Sequence, residues 1–407
     1  MIYKKMDSKN NNANAMVLQQ NGLRYVMPKP LSTSLVRTFK KQYAQRQTYG
    51  PAETIVFDLN VSGQVDPEVS YLTFKLSSDQ TFQFGKGSVG NIIREIRIQS
   101  KNGVELDRIQ NFNAWNYIRL NTMEDGDEIN FKGPLLGHAQ AAIPAAGRQF
   151  VLPCSHLSGL FRPHVKGQKI PSHMLSGARI EITLENVGRA LERGGATDNT
   201  TYTVEKPTFN LMEHTLNDNT LKVLTEESAN NGLEYVYDRV FCSIETTNNN
   251  TLHTQIKKAV SQATCVITSV HNVANQSNVQ ADSFETLAPG GGVFEKYQYR
   301  IASNYFPQIA VDNVQEAYTV SESAYNSTRV KGWNPNNGYA NYIADTFAVA
   351  HPLKSDHEIS SSGLAINNSA TLALEYESSD GSNKIYYTFL IYTALARCFL
   401  SQVTVKI

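Results

Sequence analysis

The chain has 407 residues, with 37 basic and 37 acidic side chains and a formal net charge of zero. Hydrophobic residues make up 41% and aromatic residues 10%, enough for a buried core and incompatible with wholesale disorder. Only 18% is charged, the deficit being filled by Asn, Ser, Thr, Gln and 20 Tyr, a mixture that suits half-buried strands and excludes helical bundles and coiled coils.

The charge is unevenly placed. Residues 1–50 hold nine bases (Lys4, Lys5, Lys9, Arg24, Lys29, Arg37, Lys40, Lys41 and Arg46) against one acid, Asp7, so this basic arm carries +8 and the remainder −8. A basic arm on an acidic body suits nucleic acid, a membrane surface or an acidic partner. Leu18, Leu23, Tyr25, Val26, Leu31, Leu35, Val36 and Phe39 are interspersed with those charges, which favours protein–protein clamping over a purely DNA-binding tail. The first 30 residues lack the apolar run of a secretory signal, and the most apolar stretch, Phe389–Leu400, is too short to span a membrane and contains Arg397.

From residue 51 onward, strand-period alternation recurs. Ile55, Phe57, Leu59 and Val61 alternate with polar or smaller residues, as do Leu72, Phe74 and Leu76. A glycine loop, Gly85, Gly87 and Gly90, follows, but strand-like Ile93–Ile98 comes next instead of a helix, so a tight approach into a strand is the better reading than a dinucleotide site. Phe112, Trp115 and Ile118 share one side of a short helix, and Phe112 and Trp115 are candidate core anchors. Glu124, Asp125, Asp127 and Glu128 surround Gly126 in a turn-like acidic cluster without the EF-hand order.

Cys154, His156, His164 and His173 fall within 20 residues, yet their spacing is not that of a zinc site, and surface histidines beside a buried thiol are expected. Ile180, Ile182 and Leu184 give the cleanest alternation and are the remaining core anchors. Thr220–Ala229 and Val314–Tyr325 are the other helical segments; Leu372–Tyr376, Ile385–Tyr392 and Val403–Ile407 are further strands. All are read as antiparallel strands with one face buried. The four cysteines, Cys154, Cys242, Cys265 and Cys398, are too sparse for a disulfide framework and read as reduced, buried thiols.

Element order repeats at about half the chain length. IREIRIQ (93–99), a second strand and the Trp115 helix find an echo in EKYQYRIA (295–302), FPQIAV (306–311) and the Val314 helix, and SGARIEITLE (176–185) in NSATLALEYE (368–377). Two all-β units of roughly 200 residues follow, each a jelly-roll-type sandwich with long polar loops. The expected division is an arm at 1–50, a first jelly roll at 51–218, a linker helix region at 219–235 and a second jelly roll at 236–407. No nucleophile–base pair, metal ligand set or phosphate loop emerges, so neither an enzyme nor a cofactor is expected.

The stretch FVLPCSHLSGLFRPHVKGQKIPSHMLSGARIEITLE (150–185) resembles a segment of the double jelly-roll major capsid proteins of polinton-like viruses, virophages and larger DNA viruses. The matching features are the Leu-Pro strand end at Val151–Pro153, the Gly-Leu-Phe turn at Leu157–Phe161, the Ile-Pro step at Ile170–Pro171 and the strand Gly177–Ile182. GSVGNIIREIRIQSKNGVELDRIQNFNAW (87–115) is similar to that family's first-half strand, turn, strand and helix. The resemblance implies an all-β fold of two consecutive eight-stranded antiparallel jelly rolls with a few short helices. It further implies homotrimeric, pseudo-hexameric capsomers tiling an icosahedral virion shell assembled inside the host cell. The expected partners are neighbouring capsomers and minor or penton capsid proteins, with no small-molecule substrate. Lys4, Lys5, Lys9, Arg24, Arg37, Lys40, Lys41 and Arg46 would then form an inner-face or inter-capsomer arm, in reach of genome or an inner membrane. The alternative function is a two-domain β-sandwich binding module such as a lectin, spike or penton-like protein.

Overall fold

The computed structural model describes residues 36–123, 133–138, 142–165, 167–216, 218–327, 338–354, 363–367, 371–400 and 402–407. Val36–Ile407 forms one compact unit. Its first half contains eight main strands: β1 (Val36–Tyr43), β2 (Thr54–Asp58), β3 (Gln64–Ser78), β4 (Ile93–Gln99), β5 (Glu105–Gln110), β6 (Arg148–Pro153), β7 (Arg179–Leu184) and β8 (Tyr202–Thr215). They pair antiparallel in two sheets of spatial order β1–β8–β3–β6 and β2–β7–β4–β5.

The second half contains β9 (Leu233–Thr247), β10 (Thr251–Ile256), β11 (Val260–Asn272), β12 (Lys296–Ile301), β13 (Asn304–Val311), β14 (Ala348–Pro352), β15 (Leu372–Glu377) and β16 (Lys384–Cys398). Their sheets run β9–β16–β11–β14 and β10–β15–β12–β13, so every strand occupies the place of the one eight earlier. Eight antiparallel strands that alternate in this way between two packed sheets make a jelly roll, and the chain holds two. Arg97 on β4 and Arg300 on β12 sit on equivalent strands, as the repeated element order requires. Helices α1 (Phe112–Thr122) and α3 (Val314–Ser327) each follow the fifth strand of their own jelly roll, while α2 (Asp218–Asn230) joins the two.

Side-chain alternation builds these strands. On β7, Ile180, Ile182 and Leu184 are buried while Arg179 is exposed. Proline places the irregularities: Pro67 lacks a ladder donor, and the β3–β8 register shifts opposite it between Asn210 and Met212. There the Met212 N–H donates to Ser70 Oγ (3.0 Å), whose hydroxyl in turn donates to the Asp66 carbonyl (2.6 Å).

Two expectations need correction. The first sheet begins inside the stretch assigned to the arm, because β1 pairs residue for residue with β8 from Val36↔Thr215 to Tyr43↔Thr208. This strand is exposed on nearly all its length, so it carries none of the alternation that reveals a strand in sequence. β16, expected to bury one face, is buried on both. Tyr386, Leu390 and Tyr392 face the core of the second jelly roll, and Tyr387, Phe389 and Ile391 join the core that belongs mainly to the first.

Candidate functional site

The doubly buried sheet defines a seam between the jelly rolls. Helix α1 lies within it, all eleven residues buried, and Trp115 packs on Phe389 with ring centroids 5.3 Å apart. Arg189 reaches across to the Tyr387 hydroxyl (2.5 Å) and lies over the Phe284 ring at 5.3 Å. Tyr117 also packs near Phe284, with ring centroids 6.3 Å apart. Large aromatic surfaces with one polar handle suit such a seam, since the ring buries area while the hydroxyl finds a partner.

Beside this apolar patch runs a buried ionic network. Arg239 on β9 meets Asp107 (3.3 Å) and Glu105 (2.9 Å), both on β5. Asp107 also accepts from the Ser158 hydroxyl at 2.5 Å and from the Arg108 N–H at 2.9 Å. Burial pushes the Asp107 carboxyl up, against the pull of Arg239 and Ser158. Burial is the largest single influence on Arg239 and works against its charge, but Asp107, Tyr392, Tyr237 and Glu105 together outweigh it and the guanidinium stays protonated. The Tyr237 hydroxyl donates to the Leu106 carbonyl, and the Tyr235 hydroxyl to the Leu160 carbonyl (2.7 Å).

The loop after β6 completes the contact along the outer edge of β9. The His164 N–H donates to the Val236 carbonyl (3.0 Å), His164 Nε2 lies 2.8 Å from Asp238 Oδ1, and Pro163 bridges Tyr237. Gly159 approaches so closely that a Cβ there would overlap the Asp238 carbonyl oxygen. A cavity of about 50 Å³ at this junction is lined by Ile109, Trp115, Arg119, Leu157, Asp238 and Val240 among others.

The glycine loop belongs to the same seam. Gly85 adopts φ +55°, and the space a side chain would need is filled by the carboxylates of Asp282 and Glu192. Gly90 abuts Asn116. Packed against protein in this way, the loop is the tight approach into β4 that the sequence indicated. Asp282 accepts from the backbone N–H groups of Lys86 (3.2 Å) and Phe284 (3.0 Å), and Lys86 Nζ pairs with Asp345. Burial, with Glu192 and Glu285 adding to it, pushes the Asp282 carboxyl up to about 7.

Of the histidines expected at the surface, His173 is half-buried and the other two are covered. His156 is buried and the His164 ring is enclosed against β9, because the segment they occupy is the docking loop. Among the described residues no group of three or more His, Cys, Asp and Glu is arranged to hold a metal ion, and no helix is long and apolar enough to cross a membrane. All four cysteines are free and buried, and burial pushes Cys242 and Cys398 up to about 12. The acidic cluster Glu124, Asp125, Asp127 and Glu128 lies outside the described residues.

Of the candidate arm residues, Lys4, Lys5, Lys9 and Arg24 lie outside the described residues. Arg37, Lys40 and Lys41 are on β1, where Lys40 pairs with Glu213 at 3.8 Å. Arg46 pairs with Glu53 at 3.1 Å and covers the Tyr49 ring. The structure thus splits this set, placing half of it on the body. Phe112, Trp115, Ile180, Ile182 and Leu184 are all buried, but only Trp115 of these meets the second jelly roll in a ring contact. Asp107, Arg239, Tyr237, Arg189 and Asp282 escaped the sequence reading, since isolated charges far apart in the chain make no pattern. The signal that was available is the continuous apolar run around Phe389, which marks a strand with both faces covered.

No protein-family model matches the chain, and no curated protein matches it by sequence. Solved structures do. PBCV-1 VP54, as fitted into a reconstruction of the virophage Sputnik, superposes with a TM-score of 0.65 at 9% identity, over 94% of this chain and 98% of its own. The Faustovirus major capsid protein gives 0.65 at 9% identity over 96% and 98%. The mavirus major capsid protein gives 0.53 at 10% identity over 100% and 96%. At such identities the likeness is one of fold, and it spans both jelly rolls: the chain has a double jelly-roll fold.

Proposed function

We propose that this chain is the structural subunit of an icosahedral virion shell, a major capsid protein whose homotrimers form pseudo-hexagonal capsomers. The observation that carries the reading is the pairing of two jelly rolls with identical strand order, matched nearly end to end by capsid proteins. Three such chains present six similar sandwiches, and a closed ring of six has the outline that tiles a shell without leaving sticky ends. A seam made of buried aromatics and ion pairs holds the two jelly rolls at a fixed angle, which a tile requires and a flexible two-domain binder does not.

Negative-stain microscopy with mass photometry of the purified chain tests this. Particles of three times 45.3 kDa with a hexagonal outline are expected. A chain that stays monomeric and never assembles overturns the reading.

Residues 1–35 are assigned to contacts with neighbouring capsomers or minor capsid proteins at the inner face of the shell, on the strength of their mixed basic and apolar composition. Because Lys40 and Lys41 lie in β1, and Lys29 precedes Pro30 at a bond trypsin does not cut, the informative tryptic sites are Lys4, Lys5, Lys9 and Arg24. Their protection in intact particles and cleavage in free capsomers is the expected outcome; equal cleavage in both removes the clamp.

A further inference from the structure

We infer that the exposed edge strands β1 and β13 are the two sides of a single contact between copies of this chain, β13 of one copy lying against β1 of the next. The inference rests on the capsomer reading and adds to it the surfaces that join one chain to another.

The contact inside the chain supplies the template. β5, an edge strand of the first jelly roll, lies alongside β9, an edge strand of the second. The Tyr237 hydroxyl and the Arg239 pairs with Asp107 and Glu105 join them. Moving eight strands along the repeat, β5 becomes β13 and β9 becomes β1. Among the described residues each of these has a strand neighbour on one side only, β12 for β13 and β8 for β1.

Both strands hold apolar side chains in water. Ile309 on β13 is 82% exposed and Tyr305 39%; on β1, Val36 is 58% exposed, Phe39 52% and Tyr43 70%. No other pair of strands among the described residues exposes as many large apolar side chains, and a concentration of this kind marks an interaction surface. The polarity of charge repeats as well. Inside the chain a base on β9 faces acids on β5; β1 carries Arg37, Lys40 and Lys41, while Asp312 and Glu316 follow β13.

These two surfaces sit on opposite jelly rolls, so neither completes the other within one copy in the way that β5 completes β9. A second copy does so head to tail, and a head-to-tail contact closes into a ring when the rotation per step divides a full turn. In a trimer the internal contact and this one then alternate six times around the ring.

The test uses the full-length chain with Phe39→Asp and Ile309→Asp, one on each side of the contact, and mass photometry at a concentration where the unaltered chain is trimeric. Each variant alone is expected to lose at least tenfold of its trimer while keeping the circular dichroism and melting behaviour of the folded monomer, because both positions are exposed. An equimolar mixture is expected to regain a two-chain species but no trimer. The Ile309→Asp chain still offers β1 and the Phe39→Asp chain still offers β13, which allows one contact and no closed ring. Tyr43→Asp and Tyr305→Asp repeat the experiment from neighbouring positions should either first variant fail to fold.

Trimers that survive both substitutions overturn this contact and leave the capsomer reading standing. Loss of trimer with Phe39→Asp but not with Ile309→Asp also overturns it, and means that β1 is covered by the chain's own first 35 residues or by another β1. An unaltered chain that forms no trimer defeats both proposals.

Discussion

Arg239 and Asp107 stand 132 residues apart in sequence and 3.3 Å apart across the seam. Both are almost wholly buried, so each is the other's principal compensation for leaving water. Glu105 takes the far side of the guanidinium at the rim. Replacing Asp107 with Asn leaves the guanidinium half compensated, and a loss of about 3 kcal/mol is expected. Replacing both residues with apolar ones of similar volume is expected to recover most of that loss. Urea denaturation of the two variants checks this; equal destabilisation by both would mean that the loss does not come from an uncompensated guanidinium.

Phe389 is the aromatic anchor of the seam from the second jelly roll, stacked parallel with Tyr387 and tilted against Trp115. Phe389→Ala removes a buried ring that collapse of the surrounding strands cannot replace, at an expected loss of about 3–5 kcal/mol. The loss falls on the seam, so limited proteolysis within residues 216–232 is expected to accelerate before either jelly roll unfolds. Unchanged cleavage there would show that the seam does not depend on this ring.

The strands were legible where one face is buried and the other wet. Ile180, Ile182 and Leu184 announce β7, and the echo of 93–99 in 295–302 announces the duplication. β1 was hidden, because an exposed edge strand with Lys40 and Lys41 has the composition of a tail. The seam was hidden for another reason. Its ionic members are single charges brought together only by the docking of two complete sandwiches, and His156 and His164 look like surface residues until the loop that carries them is seen against β9. What sequence does record of the seam is the loss of alternation along β16.

Gly159 is required by close approach rather than by its backbone angles. A methyl group there would overlap the Asp238 carbonyl oxygen, which belongs to β9 and cannot rotate away. Gly159→Ala is therefore expected to lever the docking loop off β9, breaking the His164–Val236 hydrogen bond, at a loss of at least about 2 kcal/mol. Hydrogen exchange at the His164 amide reads the opening directly. Protection equal to that of the unaltered chain would show that the loop accommodates the methyl group.

The seam is also expected to respond to pH through Asp282. Its carboxylate faces Glu192 across the space above Gly85, with Glu285 nearby, while Lys86 directs its ammonium to Asp345 and gives Asp282 only a backbone N–H. Raised to about 7 from an ordinary value of 3.8, Asp282 keeps its proton in the folded chain at a pH where the unfolded chain has lost it. Between pH 4 and 7 folding then takes up a proton, so stability is greatest at the acid end of that window and falls as the pH climbs through it. Asp282→Asn keeps the shape and has no proton to lose. The variant is expected to melt above the unaltered chain at pH 8, to converge with it only near pH 4, and to show a shallower slope between. A melting curve for Asp282→Asn that runs parallel to that of the unaltered chain from pH 5 to 8 would assign the dependence to another group.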